Sequence, residues 1–200
     1  MSAPTVILAS GSSSRHAMLM AAGVTFTTVP PDIDEERLTQ ALKRDGADGE
    51  GIAEALAQAK TSAVAQHHKD ALVLGADQVL VCGGQLFRKA TDWNSARKTL
   101  AALRGKSHTL ISGVALAKNG TVVWRYRESA TLQMRDFSDA FLEAYLLAEV
   151  PDIFGSVGCY RIEGRGAQLF GQIQGDQFCI RGLPLIAVLA ALRDQGALPS

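Results

Sequence analysis

The sequence predicts an α/β fold in which a mixed sheet is covered by helices. Two observations carry this. Strand-like and helix-like segments alternate through the first half of the chain, as in βα units. One long antiparallel hairpin then follows, centred on Asn119-Gly120, a pair suited to a type I′ turn. The 200 residues, 47% hydrophobic and 20% charged, fit a single domain spanning 1–200 with a packed core.

The elements follow in order. Thr5 to Ala9 is a short apolar strand that enters the loop Ser10-Gly11-Ser12-Ser13-Ser14. Arg15 to Ala22 reads as a helix with a serine cap and Gly23 as its stop. Phe26 to Val29 is a second strand, closed by Pro30-Pro31. Gly51 to His67 has Ile52, Leu56, Ala59 and Ala63 on one helical face. Ala71 to Cys82 is a buried strand broken only by Gly75, Asp77 and Gln78, and Gly83-Gly84 turns it toward Gln85-Leu86-Phe87. Asp92 to Leu103 is helical, and Lys106 to Met134 is the hairpin. Ser138 to Glu149 is a capped helix, Val157 to Cys179 is expected to hold two or three short strands, and a last helix runs from Leu185 to Arg193.

Charge and cysteine use narrow the function. Twenty basic and twenty acidic residues balance, so no global field draws the chain to nucleic acid or to an anionic membrane. Cys82, Cys159 and Cys179 are odd in number and widely spaced, a pattern of free thiols in a reducing compartment. The first ten residues have no basic region and too short an apolar run for a signal peptide, and no stretch has transmembrane length. A cytoplasmic protein is expected.

Five local patterns carry candidate chemistry. In Ser10 to Arg15 small residues, free helix amides and a guanidinium could cradle phosphate, although a serine-capped helix with a solvent-facing arginine gives the same string. The acids Asp32, Asp34, Glu35 and Glu36 could hold a hard cation or simply precede a helix, whose dipole favours acids at its start. Asp77, set in an apolar strand, is costly to bury unless it is paired or binds metal. Lys60, among alanines, and Lys89, past Phe87, could each reach phosphate. Two glycine-flanked polar stretches, Gly158 to Gly164 and Ile173 to Asp176, could bend around a pocket or form plain hairpins. His67 and His68 end a helix and take no role. No Gly-x-Gly-x-x-Gly follows the first strand, which sets aside a dinucleotide-binding oxidoreductase.

In this order, Leu8-Ala9-Ser10-x-Ser12-x-x-Arg15, Asp32-x-Asp34-Glu35, Lys60, Gly75-Ala76-Asp77-Gln78-Val79, Lys89 and Gly182-Leu183-Pro184-Leu185, the sequence resembles the Maf nucleotide pyrophosphatases from Val6 to Arg193. The resemblance implies the inosine triphosphatase-like fold: an elongated, twisted mixed sheet with two lobes around a cleft. It also implies a nucleoside triphosphate substrate and a divalent cation, Mg²⁺ or Mn²⁺. Cleavage would give a nucleoside monophosphate and pyrophosphate, and many members are homodimers. By position, Ser10, Ser12 and Arg15 would hold the triphosphate, Asp77 would accept the proton, and Lys60 and Lys89 would neutralise phosphate. Glu35 would join Asp77 at the metal. Ser14, Gln78 and Glu163 fall where the family sets base selectivity. The branch acting on 7-methylguanosine triphosphate has Trp, Gln and Glu there, and the thymidine and uridine triphosphate branch has Arg, Thr and Gln. Gln78 and Glu163 fit the former, and Ser14 fits neither. Ala90 in place of the usual Pro, and Cys159-Tyr160-Arg161 in a normally glycine-richer loop, also depart from the pattern. The competing implication is a nucleotide-binding regulator of cell division with little turnover. Asp77, Glu35 and two lysines argue against it, since binding alone needs no base.

Overall fold

A computed structural model describes residues 4–199; Met1–Ala3, part of the segment read above for a leader, lie outside the described residues. The strands are β1 (Val6–Ala9), β2 (Thr27–Thr28), β3 (Leu72–Cys82), β4 (Gln85–Phe87), β5 (Ser107–Lys118), β6 (Thr121–Met134) and β7 (Phe170–Gln174). They form one sheet in the order β2-β1-β3-β5-β6-β7, with β4 on β3. β2, β1 and β3 run parallel, and the rest of the sheet is antiparallel. Asn119 and Gly120 both take positive φ, 55° and 76°, which a type I′ turn demands.

The helices are α1 (Ser13–Ala21), α2 (Glu35–Arg44), α3 (Gly49–Ala65), α4 (Trp93–Leu103), α5 (Asp139–Glu149), α6 (Gln177–Ile180) and α7 (Leu185–Asp194). None is long and apolar enough to cross a membrane among the described residues. α2 has only a narrow apolar stripe in the sequence: five of its ten residues are charged and none is fully buried. The expected strands between Val157 and Cys179 reduce to β7 alone. Two 3₁₀ turns, Asp152–Gly155 and Arg165–Leu169, occupy much of that stretch, and Cys179 lies in α6. Gly166 serves close packing there, not a hairpin turn: a Cβ on it would stand 2.8 Å from the Arg161 backbone nitrogen.

Side-chain alternation along β3 explains how the core divides. The even-numbered stripe starts with Leu72, Leu74 and Ala76, packed with α1 and α7, and ends with Leu80 and Cys82, packed with α4 and α5. Gln78 interrupts it. The odd stripe faces α3 and holds Val73 and Val79, with Gly75 and Asp77 between them. Two apolar cores on one face, parted at a polar residue, form the lobes.

Strand pairing opens the sheet at the same place. β1 ends with Ala9 beside Gly75, and β4 begins to pair only at Leu80. Among the described residues, the edge of 76–79 therefore lacks a neighbouring strand on that side, while β5 pairs it on the other. Asp77 and Gln78, adjacent on one strand, point to opposite faces yet reach one opening.

Gly75 sets the height of α3 over this gap. A Cβ there would lie 2.8 Å from the Thr61 backbone nitrogen and closer still to its hydroxyl, and one on Gly113 of β5 would lie 2.7 Å from the Ala53 carbonyl carbon. With both positions bare, α3 settles onto the sheet, and Lys60, next to Thr61, reaches Asp77. Gly75→Ala is expected to lift the helix and cost about 1–3 kcal/mol, the usual penalty of overpacking. A denaturant titration showing unchanged stability would mean that α3 is not held by this contact.

Candidate active site

The opening leads into a cavity of about 960 Å³, bounded by the β1–α1 loop, α2, α3, β3, the β4 exit and the segments near residues 155–163 and 180–182. Ser10, Ser12, Ser14, Arg15, Glu35, Lys60, Asp77, Gln78, Lys89 and Glu163 all line it. Residues spread over most of the chain are thus brought to one surface.

The loop after β1 builds the first wall. Ser12 caps α1, its hydroxyl accepting from the Arg15 amide at 3.4 Å, and the Ser12 amide donates to Ser10 Oγ at 3.2 Å. The Arg15 side chain is buried, not solvent-facing. Its Nε donates to the Gly182 carbonyl at 2.8 Å and Nη1 donates to Ser10 Oγ at 3.1 Å. Burial lowers its pKa, while Asp77 and Glu35 pull the other way. A guanidinium stays charged under such pressure, so this wall carries a fixed positive charge.

Lys60 sits between two carboxylates. Its ammonium donates to Asp77 Oδ1 at 2.6 Å and lies 2.9 Å from Glu35 Oε2. Asp77 is 7% exposed and raised in pKa by burial, with Lys60 and Arg15 holding it back. Its second oxygen has no hydrogen-bond partner among the described residues and is free for water or a cation. Lys89 stands at the rim, its pKa lowered by desolvation and by the charges of Arg15 and Lys60.

The acids after β2 do not converge. Asp34 caps α2 through the Arg37 amide, Glu36 pairs with Arg88, and only Glu35 reaches Lys60. No group of three or more His, Cys, Asp or Glu side chains is placed to hold a metal among the described residues. Lys60 already bridges Glu35 and Asp77, and the oxygens it leaves free are the one or two carboxylate ligands that an ion of the magnesium kind takes, the rest of its shell being phosphate oxygens and water.

On the opposite face Gln78 Nε2 donates to Ser112 Oγ and to the carbonyls of Cys179 and Ile180, which fastens α6 to the sheet. Ser14 Oγ donates to the Arg181 carbonyl. Glu163 is exposed, with Oε1 3.7 Å from Arg181 Nε. Arg181 was missed in the sequence, since nothing local marks it. Tyr160, in the loop that carries Glu163, shares a 2.7 Å hydrogen bond with His108 Nε2, and burial lowers the His108 pKa to about 4, keeping the ring neutral.

A family model described as "Maf-like protein" matches residues 5–195. The chain belongs to the Maf-like family. This Maf-like chain is 44% identical over 193 residues to the nucleoside triphosphate pyrophosphatase of Granulibacter bethesdensis, covering 96% of this chain and 98% of the relative. It is also 44% identical over 193 residues to the 7-methyl-GTP pyrophosphatase of Mesorhizobium japonicum, covering 96% and 97%. Among solved structures, a HAM1 protein from Coxiella burnetii is similar with a TM-score of 0.42 and 19% identity, over 67% of this chain and 74% of that one. Equal identity to two differently named relatives leaves the base to be argued from the Maf-like chain's own cleft.

Proposed function

We propose that this cleft hydrolyses a nucleoside triphosphate to a monophosphate and pyrophosphate by attack of water on the α-phosphorus. The observation that carries this is a buried carboxylate, Asp77, whose pKa burial raises, facing a cavity walled by Arg15, Lys60 and Lys89. Asp77 takes the proton from the attacking water. Arg15, with Ser10 and Ser12, grips phosphate oxygens, and Lys60 and Lys89 offset the charge that gathers on the leaving pyrophosphate. A divalent cation such as Mg²⁺ or Mn²⁺, held by Glu35 beside Asp77, would supply further charge neutralisation when bound. The names of the two relatives support the reaction class. Three buried free thiols, Cys82, Cys159 and Cys179, support a cytoplasmic setting.

Product analysis by ³¹P NMR tests the reaction. Pyrophosphate and a nucleoside monophosphate are the expected first products with Mg²⁺, and chelation of the metal is expected to stop their formation. Orthophosphate with a nucleoside diphosphate would place the cleft in another reaction class.

A further inference from the structure

Arg181 has a more elaborate seat than a surface arginine needs. α6, which it terminates, is fixed by Asp176 Oδ1 accepting from the Phe178 and Cys179 amides. Gln78 and Ser112 bind the Cys179 carbonyl, Gln78 also binds that of Ile180, and Ser14 binds that of Arg181 itself. The backbone beneath this side chain is therefore held from α1, β3 and β5.

The side chain ends in an unfinished arrangement. Its Nε is shielded from water and has no hydrogen-bond partner among the described residues. Glu163 Oε1, at 3.7 Å, is beyond hydrogen-bond reach. A buried donor left unpaired is unfavourable, and a small shift of the guanidinium toward the acceptor of a ligand would relieve it. Arg181 and Glu163 both line the cavity beside Ser14 and Gln78. The wall thus presents a donor-only group next to an acceptor-only group.

We propose that Arg181 is a specificity-determining residue which, with Glu163, selects bases carrying an oxo group next to a ring N–H. This rests on the reading of the cleft as a nucleoside triphosphate site. In guanine and hypoxanthine O6 accepts from Arg181 while N1–H donates to Glu163, and O4 with N3–H does the same in uracil and thymine. Guanine adds its 2-amino donor for the carboxylate and ranks first. Adenine and cytosine reverse both groups: their amino hydrogens face the guanidinium and a ring-nitrogen lone pair faces the carboxylate. Two mismatched polar contacts are set against two matched ones.

The test compares kcat/KM within pairs that differ at this edge: inosine against adenosine triphosphate, guanosine against 2,6-diaminopurine riboside triphosphate, and uridine against cytidine triphosphate. The wild type is expected to favour the oxo member by about 10- to 100-fold, as a site built to hydrogen-bond a polar group does. Arg181→Met should collapse the ratio toward unity, and Arg181→Lys should keep part of it; the lysine variant serves alone if the methionine variant does not fold. Binding of inosine against adenosine monophosphate gives a readout without chemistry. Wild-type turnover with an unchanged ratio in both variants, or equal binding of the two monophosphates, overturns the role of Arg181. If the wild type hydrolyses no triphosphate, the pyrophosphatase reading falls, and the monophosphate comparison still decides Arg181.

Discussion

Asp77→Asn is expected to lower kcat by about 10²–10⁴, the contribution of a positioned general base, while leaving the chain folded and able to hold nucleotide. The substitution keeps shape and volume. It removes the negative charge that faces Lys60 at 2.6 Å and the lone pairs that would take a proton from water. Lys60 keeps its contact with Glu35 at 2.9 Å, so the ammonium is not stranded in the protein interior. A neutral amide bears less desolvation penalty than the carboxylate it replaces, which limits any loss of stability. The checks are a single-turnover rate, a nucleotide dissociation constant and a denaturation curve on one preparation. Turnover near that of the wild type would remove Asp77 from the mechanism, whatever its pKa.

The second large effect belongs to Arg15. Arg15→Met should reduce kcat/KM by about 10²–10³, the scale for losing one preorganised donor set at a developing charge. It should also lower stability by about 1–3 kcal/mol, because the Gly182 carbonyl and Ser10 hydroxyl lose a buried donor. Arg15→Lys restores the charge but not a planar fork that bonds Gly182 and Ser10 at once, so an intermediate rate is expected. Kinetics paired with guanidinium unfolding separate the two effects. A methionine variant that is less stable yet equally active would show that Arg15 only fastens the Gly182 turn to the loop after β1.

Much of this arrangement is legible in the sequence because it is written in local contrasts. Asp77 and Gln78 stand out as polar residues in an apolar strand, and the alternation of β3 sends them to opposite faces of the gap between β1 and β4. The hairpin declares itself through Asn119-Gly120, and the loop after β1 through its serines and Arg15. What the string hides is set by distance along the chain. Whether Arg15 faces water or Gly182 depends on a partner far away in the sequence. Gly75 and Gly113 look like strand breakers until α3 is seen against them. The stretch from Val157 to Cys179 misleads because Gly166 admits close packing against Arg161, where polar residues set between glycines read as hairpin turns. Arg181 has no local signature, and its meaning comes from Ser14, Gln78 and Glu163.

The central claim is that water attacks the α-phosphorus, and hydrolysis in ¹⁸O-enriched water tests it most directly. With guanosine triphosphate and Mg²⁺, mass spectrometry of the products should place the label in the nucleoside monophosphate and leave the pyrophosphate unlabelled. Label in pyrophosphate, or in orthophosphate released beside a diphosphate, would contradict the account.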